Sequence, residues 1–224
     1  MNAVRIPAGR ATLDGDLTIV RHGESVRRRI GQAQALILFA HGSGSSRHSP
    51  RNQFVARTLN QAGLSTLLFD LLTPEEESVD LCTREHRFNI NLLAERLVHA
   101  TKWAKQQKQT QDLRIGYFGS STGGGAALVA AAEVPDGIAA VVSRGGRPDL
   151  AGDALKKVKA PTLLIVGGED SVVIELNEQA RAQMKCECKI DIVPGATHLF
   201  EEPGALEKVA KLASDWFLNH IDRI

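Results

Sequence analysis

Short apolar runs recur along this chain with longer amphipathic segments between them. The runs read ALILFA (35–40), LSTLLFD (64–70), LRIGYFG (113–119), GIAAVVS (137–143), PTLLIVGG (161–168) and KIDIVP (189–194). Continuous apolar stretches of this length suit strands buried on both faces. Their alternation with helix-like segments predicts a parallel sheet covered by helices on both sides. Among those segments, RNQFVARTLNQAG ends in Gly63, which suits a helix C-cap, and NLLAERLVHATKWAKQQ repeats Leu and Val near a 3.6-residue period. The last segment, GALEKVAKLASDWFLNHI, puts Leu206, Val209, Leu212, Ala213, Trp216 and Phe217 on one stripe, as a helix packed on a sheet requires.

Ahead of the first buried run, VRRRIGQAQ has Gly31 at its middle and only a weak apolar stripe. That is a poor crossover helix, so an antiparallel strand pair is expected before the parallel sheet, with His22 in its turn or second strand. TPEEES (73–78) is expected to be a solvated, acidic loop at a strand end. No repeat, low-complexity tract or Pro/Gly-rich linker divides the chain, so residues 1–224 are expected to form a single domain.

Composition narrows the functional classes. A chain of 224 residues can bury a full core, and 27 Lys+Arg against 26 Asp+Glu leave a formal charge of +1, which does not suggest a nucleic-acid partner. ALILFA and AALVAAA fall far short of the roughly 20 apolar residues of a membrane helix. The N-terminal MNAVRIPAGRATLDGD lacks an apolar signal-peptide core, so a soluble, cytoplasmic protein is expected. Cys82, Cys186 and Cys188 have no metal-type spacing and are expected to be reduced structural thiols, with no metal site.

The richest chemistry lies in LRIGYFGSSTGGGAALVAAAE, where a strand runs into Gly119-Ser120-Ser121-Thr122-Gly123 and an alanine-rich helix follows. G-x-S-x-G in a strand–turn–helix context holds a nucleophilic serine on a sharp turn, and glycines two residues to either side relieve the crowding. Ser121 meets that pattern; Ser120, flanked by Phe118 and Thr122 at the same spacing, does not. The serine then sits at a helix N-terminus, where unpaired N–H groups and the helix dipole favour developing negative charge, with Thr122 N–H as one oxyanion donor. Phosphate-loop and dinucleotide patterns are not met: no lysine occurs between Lys108 and Lys156, and G-x-G-x-x-G is absent from this turn.

In this architecture an acid and then a histidine follow the serine in chain order. His198, in VPGATHLFEEPG, lies between the last strand and the terminal helix and fits the base; His220 lies near that helix's end. Asp170, after PTLLIVGG, is the favoured acid, with Asp149 in reserve and Glu169 read as structural. The second oxyanion donor is expected in FAHGSGSSRHSPRN: Ser43 N–H, with Gly44 close behind and His41 bracing the loop.

FAHGSGSS, GSSTGGG, VGGEDSVV and GATHLF together resemble the alpha/beta-hydrolase fold, and the compact layout resembles its dienelactone hydrolase-like branch over about residues 35 to 220. Dienelactone hydrolases proper carry cysteine at the nucleophile position, where this chain has Ser121. The resemblance implies a mostly parallel sheet of about eight strands with helices on both faces. It also implies an acyl-enzyme mechanism without metal or organic cofactor.

The expected substrate is a small or medium soluble carboxylic ester, with a lactone, thioester or anionic ester as variants. Residues 144–160 leave room for a loop and one short helix, so no large lid is expected there. Arg47 and Arg51 near the oxyanion loop, and Arg144 and Arg147 after a strand, are candidates to bind an anionic substrate group, since guanidinium pairs bidentately with carboxylate or phosphate. Two rival classes are a hydrolase-fold protein that binds a ligand or partner without turnover, and a phosphoryl-transfer enzyme using His22. The latter rests on TIVRHGES (18–25), which resembles the Arg-His-Gly-Glu of phosphatases that carry phosphate on histidine. Such a site needs a second histidine and further arginines from distant strands. The next His-Gly, at His41, is too near in sequence for that, and TIVRHGES is read as a chance match.

Overall fold

The structure, a computed structural model, describes residues 2–20 and 35–221. These form an eight-stranded sheet, in the order β1-β2-β4-β3-β5-β6-β7-β8. The strands are β1 (Asn2–Ala8), β2 (Ala11–Thr18), β3 (Ala35–Ala40), β4 (Ser65–Phe69), β5 (Arg114–Ser120), β6 (Ile138–Arg144), β7 (Thr162–Gly167) and β8 (Cys188–Val193). β1 pairs antiparallel with β2 and β2 antiparallel with β4, whereas all pairings among β3 to β8 are parallel.

The expected antiparallel pair is present, but it turns at Gly9–Arg10 and its second strand ends at Thr18. His22 is therefore in neither the turn nor the second strand, and it lies outside the described residues.

β3 shows why the apolar runs become central strands. Leu36, Leu38 and Ala40 enter one hydrophobic cluster, while Ala35, Ile37 and Phe39 enter the other. Alternate side chains of a strand point to opposite faces, so a strand covered on both sides must be apolar throughout. The first cluster lies beneath α3 (Ile90–Gln106) and α4 (Thr122–Glu133); the second lies beneath α1 (Pro50–Gln61) and α6 (Ala205–Ile221). On α6 the stripe buries Val209, Ala213, Trp216 and Phe217, with Leu206 and Leu212 packed at its margin. No helix among the described residues is long and apolar enough to cross a membrane.

Two expectations need correction. TPEEES is the start of a helix, α2 (Pro74–Thr83), and not a loop. Thr73 accepts the Glu76 N–H and Glu76 accepts the Thr73 N–H in a capping box, with Pro74 opening the first turn. That T-P-E-E signal was available in the sequence. Cys82 is exposed on α2, so it has no packing role; burial raises the thiol pKa of Cys186, and that of Cys188 to about 12.

Between β6 and β7 two short helical turns, broken at Gly152 (φ 50°), span Pro148–Lys157, where no large lid was expected. Helix α5 (Ser171–Gln183) then follows β7. The chain passes from β3 outward to β4 and returns to the other side of β3 at β5. Loops leaving β3 and β5 diverge at that switch point and open a crevice at the carboxyl edge of the sheet.

Candidate active site

Ser121 lies in that crevice, directly between β5 and α4. Its backbone adopts φ 52° and ψ −122°, a region that costs a non-glycine residue about 1–3 kcal/mol. Three backbone bonds hold the turn there: Ser121 N–H donates to Arg144 O at 3.2 Å, and Ser121 O accepts from Gly124 N (2.9 Å) and Arg147 N (3.0 Å). A Cβ on Gly119 would overlap the Gly123 carbonyl, and one on Gly123 would overlap that of Ala40. Both glycines are thus sterically required. Ser120 is buried and donates instead to Asn52 Oδ1 at 3.4 Å.

Two loops converge on the Ser121 side chain. His198 Nε2 lies 3.4 Å from Ser121 Oγ, and His198 Nδ1 lies 2.6 Å from Asp170 Oδ2. A carboxylate acceptor on Nδ1 places the neutral ring's proton there and leaves Nε2 free to accept from the serine. The loops are cross-tied, since Glu169 N donates to Ala196 O at 3.0 Å and Gly168 N to Val193 O at 2.9 Å. Gly145, at φ +51°, lets the β6 loop pass beneath His198: a Cβ there would lie 3.1 Å from His198 O. Asp149 is held by Arg147 through bonds of 2.8 and 2.7 Å, away from the histidine.

On the other side of the crevice, neither Ser43 N–H nor Thr122 N–H donates to an acceptor among the described residues. Ser43 Oγ donates to Arg87 O at 3.3 Å and lies 3.0 Å from Thr122 Oγ1. Gly42 brings this loop against the nucleophile, for a Cβ on it would sit 3.1 Å from Ser121 Cβ. His41 is buried; burial is the main influence lowering its pKa, against smaller upward pulls from its bond to Gly42 and from Asp70 and Glu77.

The four arginines fare differently. Arg47 forms ion pairs with Asp70 and with Asp16, the latter at 3.4 Å. Arg51 Nη1 pairs with Glu201 at 2.8 Å, and Arg147 is taken by Asp149. Arg144 is only 7% exposed, and its Nε and Nη1 have no hydrogen-bond partner among the described residues. Its guanidinium carbon lies 5.9 Å from the Phe200 ring centroid, and burial with the neighbouring Arg51 brings its pKa down to about 10. Phe200 itself holds φ 56°, so the His198 loop carries a strained residue that supplies this ring.

A cavity of about 230 Å³ adjoins the Ser43 loop and is walled on its far side by α2. Its walls include Leu71, Leu72, Leu81 and Leu93, together with Asp80 and Arg87. The sequence pattern did not disclose this cavity, because its outer wall is the segment expected to be a loop.

A mostly parallel eight-stranded sheet carrying Ser121, Asp170 and His198 at its carboxyl edge defines the protein's class as an alpha/beta-hydrolase fold. Est1E from Butyrivibrio proteoclasticus shares that fold at a TM-score of 0.80 over all of both chains, with 19% identity. More particularly, the chain belongs to the dienelactone hydrolase family, whose profile matches residues 33–222. The dienelactone hydrolase from Anabaena variabilis ATCC 29413 is 58% identical, with a TM-score of 0.91 over 98% of this chain and 97% of that one. A relative from Mycobacterium tuberculosis H37Rv, provisionally named a phosphoribosyl transferase, is 56% identical over 218 residues, or 97% of this chain and 46% of that protein. The chain therefore spans about half the length of the curated relatives it matches.

Proposed function

We propose that this chain is a serine hydrolase of small or medium carboxylic esters, acting through an acyl-enzyme on Ser121. The observation that carries this reading is the position of His198, which touches Ser121 Oγ with one ring nitrogen and Asp170 with the other. Family membership supports a hydrolase, and the geometry supports serine chemistry.

In this mechanism His198 Nε2 takes the Ser121 proton as Oγ attacks the ester carbonyl carbon. Asp170 holds the ring and stabilises its charged form. The N–H groups of Ser43 and Thr122, unpaired among the described residues, receive the oxyanion, and each such donor is typically worth about 10²–10³-fold in kcat. His198 then protonates the departing alcohol, and water, activated by the same ring, releases the acid. Every step uses groups of this chain and water.

Of the arginines, Arg144 is the one retained for an anionic substrate group, because Arg47, Arg51 and Arg147 already neutralise carboxylates of the protein. The reading takes the chain as one hydrolase domain, since its described strands share a sheet. It is placed in a reducing, cytoplasmic setting, which its three free cysteines fit.

Labelling with a fluorophosphonate, followed by mass spectrometry and ester assays of Ser121→Ala, tests the reading. We expect an adduct on Ser121 and loss of turnover in the variant. Unmodified Ser121 with unchanged turnover would defeat it, and an inert native protein would favour a binding role for the fold.

A further inference from the structure

The cavity beside the oxyanion loop has an unusual outer wall. Helix α2 buries only Asp80, while its apolar residues Val79 and Leu81 are 46% and 71% exposed. Polar contacts hold it in place instead. Glu76 accepts from Arg96 at 2.6 Å at its start, and at its end Asp80 accepts from the N–H groups of His86 and Arg87 and from Arg87 Nε at 2.5 Å. A helix docked by ion pairs with no apolar burial is a local element of low stability, suited to admit a ligand beneath it.

The stereochemistry of acyl transfer assigns the cavity a role. In the tetrahedral intermediate the oxygen faces Ser43 and Thr122, and the leaving alcohol must face His198 for protonation. The acyl chain is left with the remaining direction. The cavity shares Gly42, Ser43 and Gly44 with the oxyanion loop and has no wall from the His198 or Asp170 loops. Gly42 packs that shared loop directly against the nucleophile, since a Cβ on it would sit 3.1 Å from Ser121 Cβ.

The lining sets the chemistry. Leu71, Leu72, Leu81 and Leu93 offer apolar surface, while the Asp70 and Asp80 charges are matched by Arg47 and Arg87. Glu77 also lines the cavity and has no ion pair among the described residues, which leaves the lining with a negative balance. A second carboxylate on the acyl chain would meet that charge.

We propose that the cavity between the Ser43 loop and α2 is the acyl subsite, and that it selects uncharged, apolar acyl groups of medium length. This rests on the serine-hydrolase reading above. A volume of about 230 Å³ holds about seven or eight groups the size of a water molecule, so the preferred chain has about six to eight carbons. Each methylene accommodated raises kcat/KM about fourfold, as burial of about 0.8 kcal/mol per CH₂ requires.

The test is a series of p-nitrophenyl esters from acetate to dodecanoate, with p-nitrophenyl hydrogen glutarate as the anionic member. It is run on the native protein, on Leu72→Trp, which fills the cavity from a half-buried wall, and on Leu81→Asp, which charges an exposed wall. Native kcat/KM should climb to hexanoate or octanoate and fall beyond, with the glutarate at least tenfold below pentanoate. Both variants should lose about tenfold or more on octanoate while keeping acetate within threefold. Since Leu81 is exposed, the second variant reports even if the first fails to fold. Acetate turnover with no chain-length preference, or equal losses on acetate and octanoate, overturns the subsite and leaves the hydrolase reading intact. No turnover of any ester overturns both.

Discussion

The His41 imidazole bridges two loops: its Nε2 accepts the Leu71 N–H at 3.0 Å, and its Nδ1 lies 3.0 Å from the Gly42 carbonyl. The Leu71 amide can only donate, so the ring proton sits on Nδ1 and donates to Gly42 O. That carbonyl belongs to the same trans peptide as Ser43 N–H, and the two groups point in opposite directions. Anchoring the carbonyl therefore aims Ser43 N–H into the crevice beside Ser121. His41→Ala should lower kcat by about 10- to 100-fold with little change in KM, as loss of an aligned oxyanion donor does. A change confined to KM would count against this role.

The same bridge makes stability depend on pH. The His41 pKa is lowered from its ordinary 6.5 chiefly by burial, so the folded state binds its proton less readily than the unfolded chain. Its contribution is full above pH 6.5 and is lost as pH falls through the lowered folded value. Thermal unfolding from pH 8 to pH 5 should show a steeper loss for the native protein than for His41→Gln. Parallel curves would mean the imidazole does not titrate in this way.

Asp170, and not Asp149, should carry the acid function. Asp170→Asn should cost about 10⁴-fold in kcat by disturbing the histidine tautomer, while Asp149→Asn should stay within a few-fold of native. Steady-state kinetics on one ester decide between them.

Ser121 holds its strained backbone at a cost to the fold. Ser121→Gly should abolish turnover and yet raise stability by about 1 kcal/mol, a gain of about 2–4 °C in Tm for a protein of this size. An unchanged or lowered Tm would show that the strain is repaid locally.

Arg144 and Arg147 should separate in their effects. Arg147→Ala releases Asp149 and should raise KM equally for neutral and anionic esters. Arg144→Met removes a buried cation, two of whose nitrogens have no partner among the described residues, and should raise Tm, while raising KM selectively for esters with an anionic alcohol group. Equal effects on both ester types would leave Arg144 without a substrate role.

His22→Ala should leave ester turnover nearly intact, since Asp170 and His198 serve Ser121 from segments distant in sequence from TIVRHGES. A large loss of kcat would reopen that segment as part of the site.

Much of this arrangement was legible before the fold was known, for local reasons. Strands buried on both faces must be apolar throughout, so ALILFA and its counterparts announced the parallel sheet. A serine on a sharp turn needs bare Cα atoms two residues away on each side, so Gly119 and Gly123 marked Ser121. Strand order pointed to Asp170 and His198 with Asp149 in reserve, and the loops after β7 and β8 bring the first two together beside Ser121 while Arg147 takes Asp149. The arginines were different: a charged side chain finds its partner through space, and Asp70, Glu201 and Asp149 claimed three of the four. Helix α2 was announced by its capping box, but its place over the Ser43 loop came from contacts between distant segments, Arg96 with Glu76 and Ser43 with Arg87. Periodicity records which face of an element is buried. It does not record which loops meet above the sheet, and those meetings shape the cavity beside Ser121.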